Sequence, residues 1–275
     1  MLVLALGIGV NSALFSMIQA VTLRPAPGMP DDRDLVRIRG VRWSEDQSRR
    51  FPRQLSFPEV LQLSERRETF ARVAGWAPAE VMFRVGNEQP RSVSAQFVTP
   101  NFFSTTAVPT HSGVGLRAGT LQDLGEPEMA AVISHRVWQE QFGGAAITGA
   151  TVDVNGVALR IAGIAPEKFH GATPASGRPT ALWIPASARA AILRGTSQAL
   201  ASADSGIFSA IARVAPGVSY GQAEAVAAGI AKQFATEAEA VSRGRETSEV
   251  PRLRGETELR ADTEMTVVIA VFGTV

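Results

Sequence analysis

The stretch from Val132 to Gly171 most constrains the fold, because four local instructions follow one another in a single run. Met129 to Ile133 is apolar and short, as a strand is. Ser134 then stands where an N-cap belongs, its hydroxyl an acceptor for one of the orphan N–H groups that open a helix. A helix over His135–Phe142 follows, with Trp138 and Phe142 at i, i+4 as its buried face, and Gly143-Gly144 supply the left-handed backbone that ends it. Asn155-Gly156 sits between Val152 and Val154 on one side and Val157 and Leu159 on the other. Both turn residues accept positive φ, so a two-residue hairpin loop is expected. Strand, helix and hairpin in that succession define an α+β chain. Every device in the stretch is structural, and none is catalytic.

The rest of the chain extends the pattern. Asp34 to Gly40 alternates Leu35, Arg37 and Arg39 against Val36 and Ile38, which predicts a strand. Ser56-Phe57-Pro58-Glu59 opens a helix: serine as cap, proline in the first turn, glutamate three residues on. Val60, Leu61 and Leu63 are its buried side, and Arg66-Arg67 lie near the C-terminus, where the helix dipole favours cations. Val81–Val85 and Ser92–Val98 read as strands about a Gly86-Asn87 turn, with Val93, Ala95 and Phe97 on one face. Pro100-Asn101-Phe102-Phe103 reads as an apolar turn that anchors the next segment, and 105–127 as a glycine-rich loop. Leu182–Pro185 reads as an edge strand and Phe208–Val214 as another strand. Tyr220, Ala223, Ala227, Ile230 and Phe234, spaced 3, 4, 3, 4, mark an amphipathic helix. The segment 235–264 is charge-rich, with one strand expected near Val250–Leu253.

Composition excludes more than it selects. A chain of 275 residues, 45% apolar and 19% charged, can bury a sizeable core in one or two domains. A net charge of +1 gives no reason to expect a nucleic-acid partner. Seven arginines between Arg33 and Arg53 are offset by Asp31, Asp32, Asp34, Glu45 and Asp46, so that segment is a solvated face. Without cysteine there is neither a disulfide nor a thiolate nucleophile, which fits an extracytoplasmic location.

The two ends carry the membrane signal. Met1 to Leu23 holds no charged residue, and as a helix it would span about 34 Å against a hydrocarbon core of about 30 Å. The rival reading, a signal peptide, lacks a preceding basic residue and a persuasive cleavage site. Ala5, Gly9 and Ala13 put small residues at every fourth position, suited to close helix packing in a bilayer. Arg24-Pro25 closes this transmembrane helix, and Pro27-Gly28 and Pro30 stiffen the exit. Thr266 to Val275 is apolar and β-branched, either a final strand or the first half of a second, truncated membrane helix.

Gly217-Val218-Ser219-Tyr220-Gly221 matches the nucleophile-elbow pattern between a strand and a helix. Ser219 and Gln222 also form a capping box, Pro216-Gly217 supplies the turn, and no histidine follows residue 170 to serve as base. His111, His135 and His170 have no metal-type spacing. Ser134 and His135 are helix neighbours that point about 100° apart, not a triad. There is no P-loop, so the chain does not bind ATP by that route. Gly7-Ile8-Gly9 opens a partial dinucleotide fingerprint, but inside the apolar helix and with no strand before it. Glu65/Glu68 and Glu237/Glu239 are solvated pairs. No catalytic, cofactor-binding or metal-binding residue is therefore expected, and the chain is not expected to be an enzyme. Two alternatives stay open: a membrane-anchored serine hydrolase using Ser219, and an anchored interaction domain with no transport role.

The opening ALGIGVNSALFSMIQAVTLRPAP resembles the first membrane helix of MacB-like and FtsX-like permeases of the ABC transporter superfamily, especially the large two-module type. The resemblance continues through Leu35-Val36-Arg37-Ile38, Ser56-Phe57-Pro58-Glu59 and VSAQFVTPNFF (Val93 to Phe103). It is densest in SHRVWQEQFGG, the VNG turn and AGIAPEKFHG, and extends through Leu182-Trp183-Ile184-Pro185 and Ala212 to Ser219. After Phe102-Phe103 the family usually has Leu-Gly-Val and then Gly-Arg; here Thr106-Ala107-Val108 and Gly113-Val114 stand there. The resemblance implies a transmembrane helix at 1–23 and a two-subdomain MacB-like periplasmic core with small mixed sheets and packed helices. One α/β subdomain is expected at 24–104 plus 205–264, an inserted one at 105–204, and the start of a truncated second transmembrane helix at 265–275. It also implies a non-catalytic role that couples a cytoplasmic P-loop ATPase subunit to export or periplasmic work at the bacterial inner membrane. Implied partners are that ATPase, a permease dimer or second permease module, the lipid bilayer, and a periplasmic adaptor or cargo.

Overall fold

Among the described residues eleven strands hydrogen-bond into one mixed sheet, and its central strands are covered on both faces. The computed structural model describes residues 28–30, 34–43, 49–122, 126–147, 149–172, 179–196, 198–203, 205–234 and 246–249. In chain order the elements are β1 (Leu35–Trp43), β2 (Arg50–Arg53), α1 (Phe57–Glu65), β3 (Phe70–Arg84), β4 (Arg91–Val98), α2 (Phe102–Thr106), β5 (Ser112–Gly113), β6 (Ala130–Ile133), α3 (His135–Phe142), β7 (Thr151–Val154), β8 (Val157–Ile164) and β9 (Leu182–Pro185). A 3-10 turn at Ala186–Ala188, α4 (Arg189–Ile192), β10 (Ser209–Val214), α5 (Tyr220–Phe234) and β11 (Glu246–Glu249) complete them. The strand order is β11-β1-β10-β3-β4-β9-β6-β8-β5, with β2 beside β1, and β7 beside β3 and β8. Pairing is antiparallel except at β4–β9 and β6–β8. The mixed α+β class is as the sequence predicts, but the strands join in one network where small separate sheets were expected.

Successive residues of a strand point to opposite faces, and here both residues of each pair are apolar and buried. Val36, Ala77, Phe97, Ile133, Ile184 and Ala212 enter one core, which α1, α3, α4 and α5 cover. Leu35, Trp76, Val98, Val132, Trp183 and Ile211 enter the other, closed by α2, Met29 and Phe169. This explains where strand period misleads: β1 is not a half-exposed strand, because Leu35 is as buried as Val36 and even Arg37 is buried.

Local predictions at the helix ends hold. Ser56 and Glu59 make the capping box of α1, with the Ser56 N–H donating to Glu59 Oε2 at 2.7 Å and the Glu59 N–H to Ser56 Oγ at 3.3 Å. Ser134 caps α3 by accepting from the Val137 N–H, and Gly143 ends it at φ 58. Val152 pairs with Leu159 and Val154 with Val157 about Asn155-Gly156, the predicted hairpin. Asn155 takes φ 52, and its side chain does more than turn the chain: Oδ1 accepts from the Met82 N–H at 2.8 Å and Nδ2 donates to the Ile192 carbonyl at 3.2 Å.

Three expectations are corrected or sharpened. Leu182–Pro185 is no edge strand; β9 lies inside the sheet between β4 and β6, all four residues buried. In α3 Trp138 and Phe142 do pack against the core, but half-buried, and the fully buried residue is Val137. Strand β3 begins at Phe70, well before Val81, and runs through Pro78. Proline is tolerated there because β10 pairs only as far as Trp76, so no ladder partner faces the missing N–H. The expected strand at Val250–Leu253, the 1–23 helix and the 265–275 segment lie outside the described residues. Among the described residues no helix is long and apolar enough to cross a membrane.

Candidate functional site

The residues most intimately built into the molecule are those of the joint where β9 lies parallel to β4. Ala95 to Val98 register against Leu182 to Pro185. The Trp183 indole N–H donates to Gln96 Oε1 at 3.1 Å, both side chains buried. Phe169 stacks on Trp183 with centroids 5.0 Å apart, and the Phe103 ring meets both at 6.3 Å. Backbone bonds carry the joint outward: the Ala181 N–H donates to Ser94 O, and the Ser134 N–H to Ala181 O, each at 2.8 Å. Gly171 is required here. Its φ is 97, and a Cβ would stand 2.5 Å from Thr180 Oγ1.

Two arginines are held in the cores by aromatic faces. Arg37 lies over Trp76, 5.8 Å from the ring centroid, and donates through Nη2 to the Ala172 carbonyl at 2.6 Å. Arg189 lies over Phe97 at 5.7 Å, and burial pushes its guanidinium below the ordinary value. At the start of α1 the buried Glu59 carboxylate is held bidentate by Arg53, with Nη2–Oε1 at 2.5 Å and Nη1–Oε2 at 2.9 Å. These groups lock elements together.

A cleft of about 330 Å³ opens between Val98, Pro100, Leu116, Glu126, Glu128 and Ser187. Glu128 accepts the Arg117 N–H there at 3.2 and 3.3 Å, and its own N–H donates to Ser187 Oγ at 3.4 Å. Its carboxylate thus shapes the loop wall. Among the described residues no group of three or more His, Asp or Glu side chains converges as metal ligands would.

Ser219 and the three histidines singled out in the sequence each have a definite place, while Gly7-Ile8-Gly9 and Glu237/Glu239 lie outside the described residues. Ser219 is exposed at the start of α5, its Oγ donating to Gln222 Oε1 at 2.8 Å and accepting the Gln222 N–H at 3.3 Å. The Ser219 N–H donates to the same Oε1 at 2.8 Å, so the capping box accounts for the serine in full. Gly217 makes the turn at φ 83. His170 is exposed, and its carbonyl accepts the Thr180 N–H. His111 and His135 meet ring to ring, with centroids 5.3 Å apart, and both touch Trp138. Sequence spacing hid that contact, since His111 lies in a loop that only the β5–β8 pairing brings over α3.

The same fold occurs in extracytoplasmic domains of ABC-type permeases. It is shared with the periplasmic region of MacB from Actinobacillus actinomycetemcomitans at a TM-score of 0.55 and 16% identity, covering 89% of this chain and 95% of that one. The extracellular domain of the noncanonic ABC-type transporter YknZ from Gram-positive bacteria matches at 0.53 and 14%, covering 78% and 98%. A domain described as part of a permease protein of Porphyromonas gingivalis matches at 0.59 and 12%, covering 82% and 91%. Such identities speak for the fold. Membership comes from the family model of the MacB-like periplasmic core domain, which matches residues 1–230: the chain belongs to that family. No curated protein matches.

Proposed function

We propose that this chain is the periplasmic core of an ABC-type permease, non-catalytic and seated at a bacterial inner membrane, which couples the motion of a cytoplasmic P-loop ATPase to export or other periplasmic work. The observation that carries the reading is the family match over residues 1–230, which takes in the uncharged stretch 1–23 together with the folded part. On this reading 1–23 is a transmembrane helix and 265–275 begins a second. The region 24–104 with 205–264 forms the subdomain nearest the membrane, and 105–204 is carried on it as an insertion. The β4–β9 joint suits such a role: a parallel seam backed by stacked rings moves as a unit, so displacement at one part reaches the other through mechanotransmission. Further partners are a permease dimer or second permease module, the bilayer, and a periplasmic adaptor or cargo. No nucleic acid is among them.

A fusion tests this directly. A phosphatase active only outside the cytoplasm, attached after residue 234, is expected to be active and to sediment with membranes. Deleting residues 1–23 is expected to abolish both. Soluble, inactive fusion protein from the intact chain would refute the membrane role.

A further inference from the structure

His111 and His135 meet over Trp138, whose indole packs on the main core from α3, and neither imidazole belongs to the joint. The imidazole centroids stand 5.3 Å apart with planes at 86°, and the indole lies 5.3 Å from one ring and 5.1 Å from the other. His111 is exposed and His135 half-buried, so solvent reaches both. Their backbones are fixed: the His111 N–H donates to Ile164 O at 2.7 Å, and His135 is the first residue of α3 behind its Ser134 cap. Trp138 is fixed as well, its Nε1–H donating to Ala145 O at 2.7 Å.

The separation has a chemical meaning. A transition metal bound by an imidazole nitrogen at about 2.0 Å lies about 3.2 Å from that ring's centroid, so two imidazoles at a tetrahedral angle have centroids about 5.2 Å apart. The observed 5.3 Å equals that separation within about 0.1 Å, so the rings already stand at the spacing a shared ion requires, with a change of ring orientation still needed to point a nitrogen of each at it. We propose that His111 and His135 form a two-imidazole site for a borderline divalent transition-metal ion, Cu2+ or Zn2+, with water completing the coordination. Imidazole is a favoured ligand for these ions, Cu2+ above Zn2+. Arg136 and Glu140, the charged residues beside the site on α3, pair with each other at 2.9 Å and leave the rings as the donors. The positive end of the α3 dipole opposes a cation, and with two protein ligands the ion exchanges with solvent. Binding would tie the loop bearing His111 to α3, and so hold the edge strand β5 against the rest.

The test uses the full chain in detergent, without a polyhistidine tag, titrated calorimetrically with Cu2+ and with Zn2+. Saturable binding of one equivalent is expected. Affinity should fall by about tenfold or more in His111→Ala and in His135→Ala, and stay unchanged in His170→Ala. Cu2+ should quench tryptophan emission in the wild type, while Trp138→Phe retains binding and loses the quenched component. Circular dichroism identifies the folded variants to be compared. Absence of saturable binding, or equal affinity in wild type and a folded His111→Ala, overturns the proposal.

Discussion

Replacing Glu59 by alanine removes two functions from one buried carboxylate. The side chain is 2% exposed, and Ser56, whose N–H it accepts, is fully buried. Loss of the carboxylate strands that N–H, at about 1–3 kcal/mol. It also takes the bidentate Glu59 carboxylate away from Arg53, whose side chain is only 15% exposed. Breaking a buried pair from one side costs about 3–5 kcal/mol, and Arg53's residual contact with water keeps the total near the lower end. Glu59→Ala is therefore expected to destabilise by about 4 kcal/mol. In urea, with a slope of about 3 kcal/mol per molar for a chain of this size, the midpoint should fall by about 1 M. Glu59→Gln keeps the shape and the capping-box acceptor but loses the charge and turns an amide NH2 toward Arg53 Nη2, so a smaller loss of about 2 kcal/mol is expected. Unfolding followed by circular dichroism reads both. A loss below about 1 kcal/mol for Glu59→Ala, or equal losses for the two variants, would refute the reasoning.

Asn155→Ala should cost about 2 kcal/mol, because it loses two side-chain bonds and puts alanine at positive φ; Asn155→Gly, which relieves only the backbone, should recover part of that in the melting temperature. Gly28→Ala should prevent stable folding, since its Cβ would lie 2.5 Å from the Phe169 backbone, whereas Gly143→Ala meets open space and should cost about 1 kcal/mol by the same melts. Ser219→Ala should lower stability by about 1 kcal/mol through loss of a cap and leave any background ester hydrolysis unchanged. A selective loss of hydrolysis in that variant would restore Ser219 as a nucleophile.

Legibility in the sequence followed range. Ser56–Glu59, Ser134, Gly143 and Asn155-Gly156 act over three or four residues, and each was readable because a cap or a turn is complete within its own neighbourhood. Strand placement was less so. Where Trp183 and Ile184 are both buried, alternation vanishes, and β9 looked like an edge while lying between two partners. The period of α3 turns Trp138 toward the core, where it packs, but nothing local announces that His111 from a distant loop meets the same ring. Strand β11 stands in a charge-rich segment with no strand signal at Glu246–Glu249; pairing with β1 makes it a strand. The joint at Trp183 and Gln96 depends on residues 87 positions apart, which no local pattern announces.

That distance along the chain also governs how the molecule comes into being. A chain delivered N-terminus first presents β4 long before β9 exists to cover its far edge, and β1 must wait for β10, since Leu35 pairs with Arg213. Closing such long loops is entropically slow, and the order of synthesis forbids a shortcut. Until β9 and β10 arrive, an apolar half-sheet with open edges faces its surroundings and is prone to pair with other chains. The seam that closes the finished domain thus leaves the nascent one dependent on protection during assembly.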